Sequence, residues 1–255
     1  MIRSIVFALW VAFFTTSKAC ALSNKELDSI GHRVWQNECS GTRDGLTSWN
    51  EGEEFASLGI GHFIWYPKGM TGPFEESFPA LVRFLAANGV KMPAWLRGEC
   101  PWGSRAEFMA DFQGPRLKEL RDLLAGSVRL QSRFLAQRME TALPKLLAEA
   151  PAAKRDAVRR NFERLAASGK GTFALIDYVN FKGEGTNAKE RYKGEGWGLL
   201  QVIEGMEGGE DVPSWRAFSE SAARVLTRRV KNADHDESRW LKGWLSRVRA
   251  YAEQS

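Results

Sequence analysis

Residues 51–62 read Glu51-Gly52-Glu53-Glu54-Phe55-Ala56-Ser57-Leu58-Gly59-Ile60-Gly61-His62. These glycines, with Gly69 beyond them, punctuate a polar and β-forming run over 42–70, the pattern of a small hairpin or irregular β region. Just before it lies a helix signal. Ser23-Asn24-Lys25-Glu26 is a capping box, Leu27, Ile30 and Val34 mark one apolar face, and Gly41 is the expected stop.

After the β region, helical periods dominate. Helices are expected over 74–88, 104–112 and 115–125, the last with Pro115 at its start. An Arg-rich helical stretch covers 127–167, where Pro144 and Pro151 should kink or break it. A short apolar helix over 172–181 leads into a Gly-rich loop carrying Lys-Gly-Glu-Gly at 182–185 and again at 193–196, read as solvated turns. Two helices, 214–231 and 236–251, close the chain, the last with a stripe of Trp240, Trp244, Val248 and Tyr251. The expected class is α+β: one domain over 22–255, with a small β lobe at about 42–70 and a helical lobe at about 71–255.

Composition excludes only extremes. The 255 residues are 44% hydrophobic and 26% charged, ordinary for a globular chain, and the net charge of +5 is too mild for a dedicated nucleic-acid binder. Residues 1–21 read as an export signal: Arg3, an apolar core from Ile5 to Phe14, then Ala19-Cys20-Ala21 as the cleavage site. That core is too short for a membrane anchor, and Lys18 spoils a lipobox around Cys20. The expected location is therefore periplasmic or extracellular. Export leaves Cys39 and Cys100 as an even pair in an oxidising compartment, where a bridge would stabilise by about 4 kcal/mol on the chain-entropy model. Two buried free thiols are the alternative.

His32, His62 and His235 are scattered and form no metal motif, and G-x-S-x-G and P-loop signatures are missing, so neither a metal nor a cofactor is expected. Arg155, Arg159, Arg160, Arg164, Arg224, Arg228 and Arg229 read as solvated helix faces or a contact for anionic polymers. Glu38 stands apart. It follows Val34 by four residues on the apolar face of the first helix, at the end where the macrodipole disfavours negative charge. Burial and dipole both favour the protonated acid, as general acid catalysis needs. The bland alternative is a carboxylate held by an arginine.

A glutamate ending a helix, then a carboxylate, then a hydroxyl six residues on and Gly59-Ile60-Gly61-His62 resembles the phage-type lysozymes, glycoside hydrolase family 24 of the lysozyme-like superfamily. Ala174-Leu175-Ile176-Asp177-Tyr178-Val179-Asn180 is similar to their buried central helix. The resemblance implies a lysozyme-like fold and cleavage of the peptidoglycan glycan strand. In that reading Glu38 is the general acid, Glu51 the water-activating carboxylate and Ser57 a water-positioning hydroxyl. The segment between Glu38 and Glu51 is longer than the family's, and Glu and Ser replace its aspartate and threonine. Glu53 or Glu54 is therefore an alternative second carboxylate. Trp49, Phe63, Trp65, Tyr66, His62 and Asn180 are groove candidates, with His62 bonding near the hairpin base.

Gly196-Trp197-Gly198-Leu199-Leu200-Gln201 resembles a strand of lytic transglycosylases, which use one glutamate. The other readings are thus a transglycosylase using Glu38 alone and a silent glycan-binding or envelope protein. The silent reading gains if Glu51, Glu53 and Glu54 all turn away from the groove. The implied partner is peptidoglycan or a related polysaccharide, with no nucleic acid, no stable membrane anchor and a monomeric state.

Overall fold

Ser23 opens the first helix through reciprocal bonds. Its hydroxyl accepts from the Glu26 N–H at 3.3 Å while the Glu26 carboxylate accepts the Ser23 N–H at 2.8 Å, satisfying two amides that a helix start leaves unpaired. This helix, α1 (Asn24–Cys39), buries Leu27, Ile30 and Val34 and ends on Ser40 in the left-handed conformation. The computed structural model describes residues 22–253 apart from Pro73, Lys189 and Glu210. The export signal at 1–21, with Cys20, lies outside the described residues.

The β lobe is a three-stranded antiparallel sheet, β1 (Thr47–Ser48), β2 (Ala56–Leu58) and β3 (Phe63–Trp65), in that spatial order. Gly59-Ile60-Gly61-His62 is the turn between β2 and β3. Gly59 has φ +74°, and a Cβ there would meet the Gln131 Oε1 at 2.6 Å. That oxygen accepts the Ile60 N–H at 3.0 Å, so the glycine lets a buried glutamine clamp the turn.

The helical lobe follows as α2 (Phe78–Ala87), α3 (Arg105–Ala110), α4 (Pro115–Gly126), α5 (Val128–Glu149), α6 (Arg155–Ala166) and α7 (Gly169–Lys182). A two-stranded hairpin, β4 (Arg191–Tyr192) and β5 (Glu195–Gly196), then α8 (Leu199–Glu204), α9 (Ser214–Asn232) and α10 (Ser238–Arg249) complete it. Among the described residues the chain is mainly helical with a small antiparallel sheet, an α+β protein. No helix among them is long and apolar enough to cross a membrane. The core runs through α7, whose residues from Gly171 to Tyr178 are all buried and which contacts α1, α5, α6, α8 and α9. A helix apolar on every side belongs at such a centre.

Several expectations are corrected. Pro144 does not break its helix: α5 continues through it, with Ala142 and Leu146 packed in the core, although the Glu140 carbonyl loses its donor. Pro151 does break it, because Ala150 before it is extended. The second Lys-Gly-Glu-Gly is a solvated turn as expected: Lys193 and Gly194, both exposed and at positive φ, connect β4 to β5. The Gly-Trp-Gly-Leu-Leu-Gln segment runs from β5 into the start of α8 and is not a strand. In the α10 stripe Val248 and Tyr251 are buried, whereas Trp240 is exposed.

The bridge is corrected too. Cys39 and Cys100 are free and buried. The Cys39 thiol donates to the Gly59 carbonyl at 3.6 Å and the Cys100 thiol to the Trp102 carbonyl at 3.5 Å. Burial, aided by the Glu38 charge, pushes the Cys39 thiol up to about 12, and burial pushes Cys100 up to about 11. Neither presents thiolate near neutrality. Native protein lacking residues 1–21 should therefore resist iodoacetamide and expose two alkylatable thiols once unfolded. Recovery of a peptide linking the two cysteines from native protein would contradict this arrangement.

Candidate active site

The end of α1 delivers Glu38 to the edge of an open cavity of about 660 Å³. One wall is the base of the β2–β3 turn, with His62 and Ile64, continued by Phe74 to Ser77. The other is the end of α7, the loop residues 183–187 with Glu190, and Trp197 and Arg229. That loop keeps its shape because Gly185 and Gly198 meet backbone to backbone: a Cβ on Gly198 would lie 2.2 Å from the Gly185 nitrogen.

Both carboxylate oxygens of Glu38 are engaged. Arg247, from α10, donates to Oε1, and the His62 Nδ1 lies 3.7 Å from Oε2. The His62 Nε2 is 3.7 Å from the Cys39 sulfur, which packs the ring between the helix end and the turn. Arg247 is itself held by Asp177, whose side chain is 0% exposed. Asp177 accepts Arg247 Nε on Oδ2 at 2.9 Å and Nη2 on Oδ1 at 2.8 Å. Asn37 donates to Oδ1 at 2.9 Å and the Tyr251 hydroxyl to Oδ2. Burial opposes the Arg247 charge, yet Asp177 and Glu38 outweigh it and hold the guanidinium protonated well beyond its ordinary range. Burial and the Asp177 charge push the Tyr251 phenol far up, so it stays a donor.

Among the residues singled out from sequence, the structure brings Glu38, His62 and Asn180 together on this cavity. Ser57 is buried in β2 directly opposite Ile64, a cavity residue, but is not itself on the wall. Glu51, Glu53 and Glu54 lie on the β1–β2 loop, and none of them lines the cavity. There Asn50 donates to the Glu53 carboxylate at 3.1 Å, and the Trp49 indole to the Glu53 carbonyl at 2.7 Å. Trp49, Phe63, Trp65 and Tyr66 are corrected from groove to interior. All four are at most 4% exposed, and Trp65 packs against Phe78, Trp95 and Trp102. A three-stranded sheet this small needs those rings to build a core beneath it.

Other residues of the site escaped the sequence reading. Phe74, Phe181 and Trp197 supply its rings, and Glu75, Glu184 and Glu190 its further carboxylates. Glu75 pairs with Arg138 at 3.2 Å and Glu184 with Lys145 at 3.8 Å. Glu190 forms no ion pair among the described residues. Lys182, on the same wall, lies 3.5 Å from the Trp244 ring centre and 4.2 Å from that of Phe181. Burial first, then Arg229 and Arg247, lower its ammonium to about 7, with Glu237 opposing. Asp177 carried one readable signal, a lone carboxylate inside an otherwise apolar helix, which must be paired if it is buried.

The arginine clusters mostly hold the fold. Arg155 donates to the Ala150 carbonyl at 3.1 Å, Arg164 to that of Val212 at 2.9 Å and Arg224 to that of Gly205 at 2.7 Å. Arg229 holds Glu237 through two bonds of 2.8 Å. Against known protein families, curated proteins and solved structures, the chain has no match.

Proposed function

We propose that the protein is an exported enzyme that cleaves the glycan strand of peptidoglycan, with Glu38 as proton donor to the leaving oxygen. One juxtaposition supports this reading: a carboxylate ending α1, beside His62, at the edge of a cavity of about 660 Å³ between two walls. Arg247 is the arginine of the alternative reading, and its bond to Glu38 must open for the carboxyl to carry a proton. That volume suits several sugar rings, and a glycosidic oxygen leaves only when protonated.

The partner of Glu38 differs from the one the resemblance implies. With Glu51, Glu53 and Glu54 off the cavity, a water-activating carboxylate would come from the facing wall, where Glu190 carries no ion pair among the described residues. A single-glutamate transglycosylase needs no such group, because a hydroxyl of the sugar itself attacks the reacting carbon. The same placement of the hairpin carboxylates favours a second reading, a silent glycan binder. Incubation with peptidoglycan followed by mass analysis of the fragments separates all three. Reducing ends identify hydrolysis, anhydro ends identify transglycosylation, and strands left intact by well-folded protein would refute cleavage.

A further inference from the structure

Five side chains follow one another in the order Arg229, Trp244, Lys182, Phe181, Arg247, and of these Arg229, Lys182 and Phe181 line the cavity. The Arg229 guanidinium carbon is 5.0 Å from the Trp244 ring centre, and that of Arg247 is 4.4 Å from the Phe181 ring centre. Lys182 lies between those two rings. The outer cations are fully employed: Arg229 binds Glu237, and Arg247 binds Asp177 and Glu38. Lys182 has no carboxylate partner among the described residues. Glu184 and Glu190 share its wall without pairing to it.

A cation flanked by two others gains from the ring faces, but rings do not neutralise it. What is missing is an anion, and the cavity gives one access. Resting on the glycan reading above, we propose that Lys182 receives a free carboxylate borne by one sugar, as on a muramic acid that carries no stem peptide, so that the cavity selects acidic over neutral glycans. Arg229 and Arg247 stay bonded to their own partners and supply field rather than contact. Asn180 and the loop residues 183–187 with Glu190 border the same subsite.

The groups facing Lys182 are Arg229 from α9, Arg247 from α10 and Glu237 just before α10; together with burial they place its titration at about 7. A bound carboxylate favours the ammonium, so ligand and proton bind together. Affinity for an acidic ligand should therefore fall as pH rises through 7, while affinity for a neutral one should not.

Two tetrasaccharides test this by calorimetry on mature protein that carries Glu38→Gln throughout, so that no ligand is cleaved during the titration and wild type refers to position 182. One alternates N-acetylglucosamine with N-acetylmuramic acid, whose lactyl carboxylates are its charges; the other is the neutral N-acetylglucosamine tetramer. Wild type is expected to prefer the acidic tetramer, with its affinity dropping about tenfold from pH 6 to pH 8, as one proton taken up near pH 7 requires. Lys182→Met should bind both tetramers alike with no pH slope. Lys182→Arg should keep the preference and lose the slope, because a guanidinium does not titrate there. Equal binding of both tetramers by wild type, or a slope that survives in Lys182→Arg, would overturn the assignment while leaving a glycan cavity standing. Binding of neither tetramer by folded wild-type protein would remove the glycan reading and this proposal together.

Discussion

Glu38→Gln protein is expected to lose ~10²–10⁴-fold of its turnover on peptidoglycan, the usual contribution of a positioned general acid, while keeping its fold. The amide preserves the shape of the side chain and can still accept from Arg247, but it has no proton for the leaving oxygen. Stability should change little, since Arg247 retains its two bonds to the buried Asp177 carboxylate. Turnover of Glu51→Gln, Glu53→Gln and Glu54→Gln should stay close to wild type, because none of the three lines the cavity. Rates of fragment release from purified peptidoglycan decide the matter. Full activity in Glu38→Gln would show that the carboxylate merely anchors Arg247. Severe loss in Glu51→Gln would mean that the β1–β2 loop closes over bound glycan.

Asp177→Asn should cost about 3–5 kcal/mol of folding free energy, the range for removing one member of a buried ion pair. Oδ1 accepts from Arg247 Nη2 and Asn37, and Oδ2 from Arg247 Nε and Tyr251. Whichever way the new amide turns, its NH₂ points at two donors. Arg247 would also keep Glu38 as its only anion. A lower urea midpoint with an unchanged slope is the expected readout, accompanied by reduced turnover because the guanidinium against Glu38 is no longer held. A midpoint within experimental error of wild type would show that the network is indifferent to charge.

The legible parts of the fold were local. Ser23 and Glu26 lie three residues apart, Pro115 starts its helix, and Gly59 to His62 make a turn within a few residues, so spacing alone exposes them. Glu38 was singled out by its place on the first helix and Asn180 by a short motif, and both line the cavity. The rest depends on distance along the chain. Arg247 meets Asp177 across 70 residues and Glu38 across 209, and no periodicity in one sequence announces such a pairing. Ring exposure is equally non-local: Trp65 and Trp197 look alike as letters, and only packing sends one beneath the sheet and the other to the cavity. The cysteines were judged from compartment and even number, whereas their geometry is set by which carbonyl each thiol meets. The β4–β5 hairpin hid because Lys193 takes a positive φ that its residue type rarely adopts.

Arg247 lies on α10, and the carboxylate it holds ends α1, 209 residues earlier in the chain. A nascent chain therefore carries Glu38 through 209 further residues of synthesis before the guanidinium beside it exists. Chains that stop short of α10 would lack Arg247 and Tyr251 together, the donors of three of the bonds to the buried Asp177 carboxylate. Assembly of the proposed catalytic centre thus waits on the synthesis of α10.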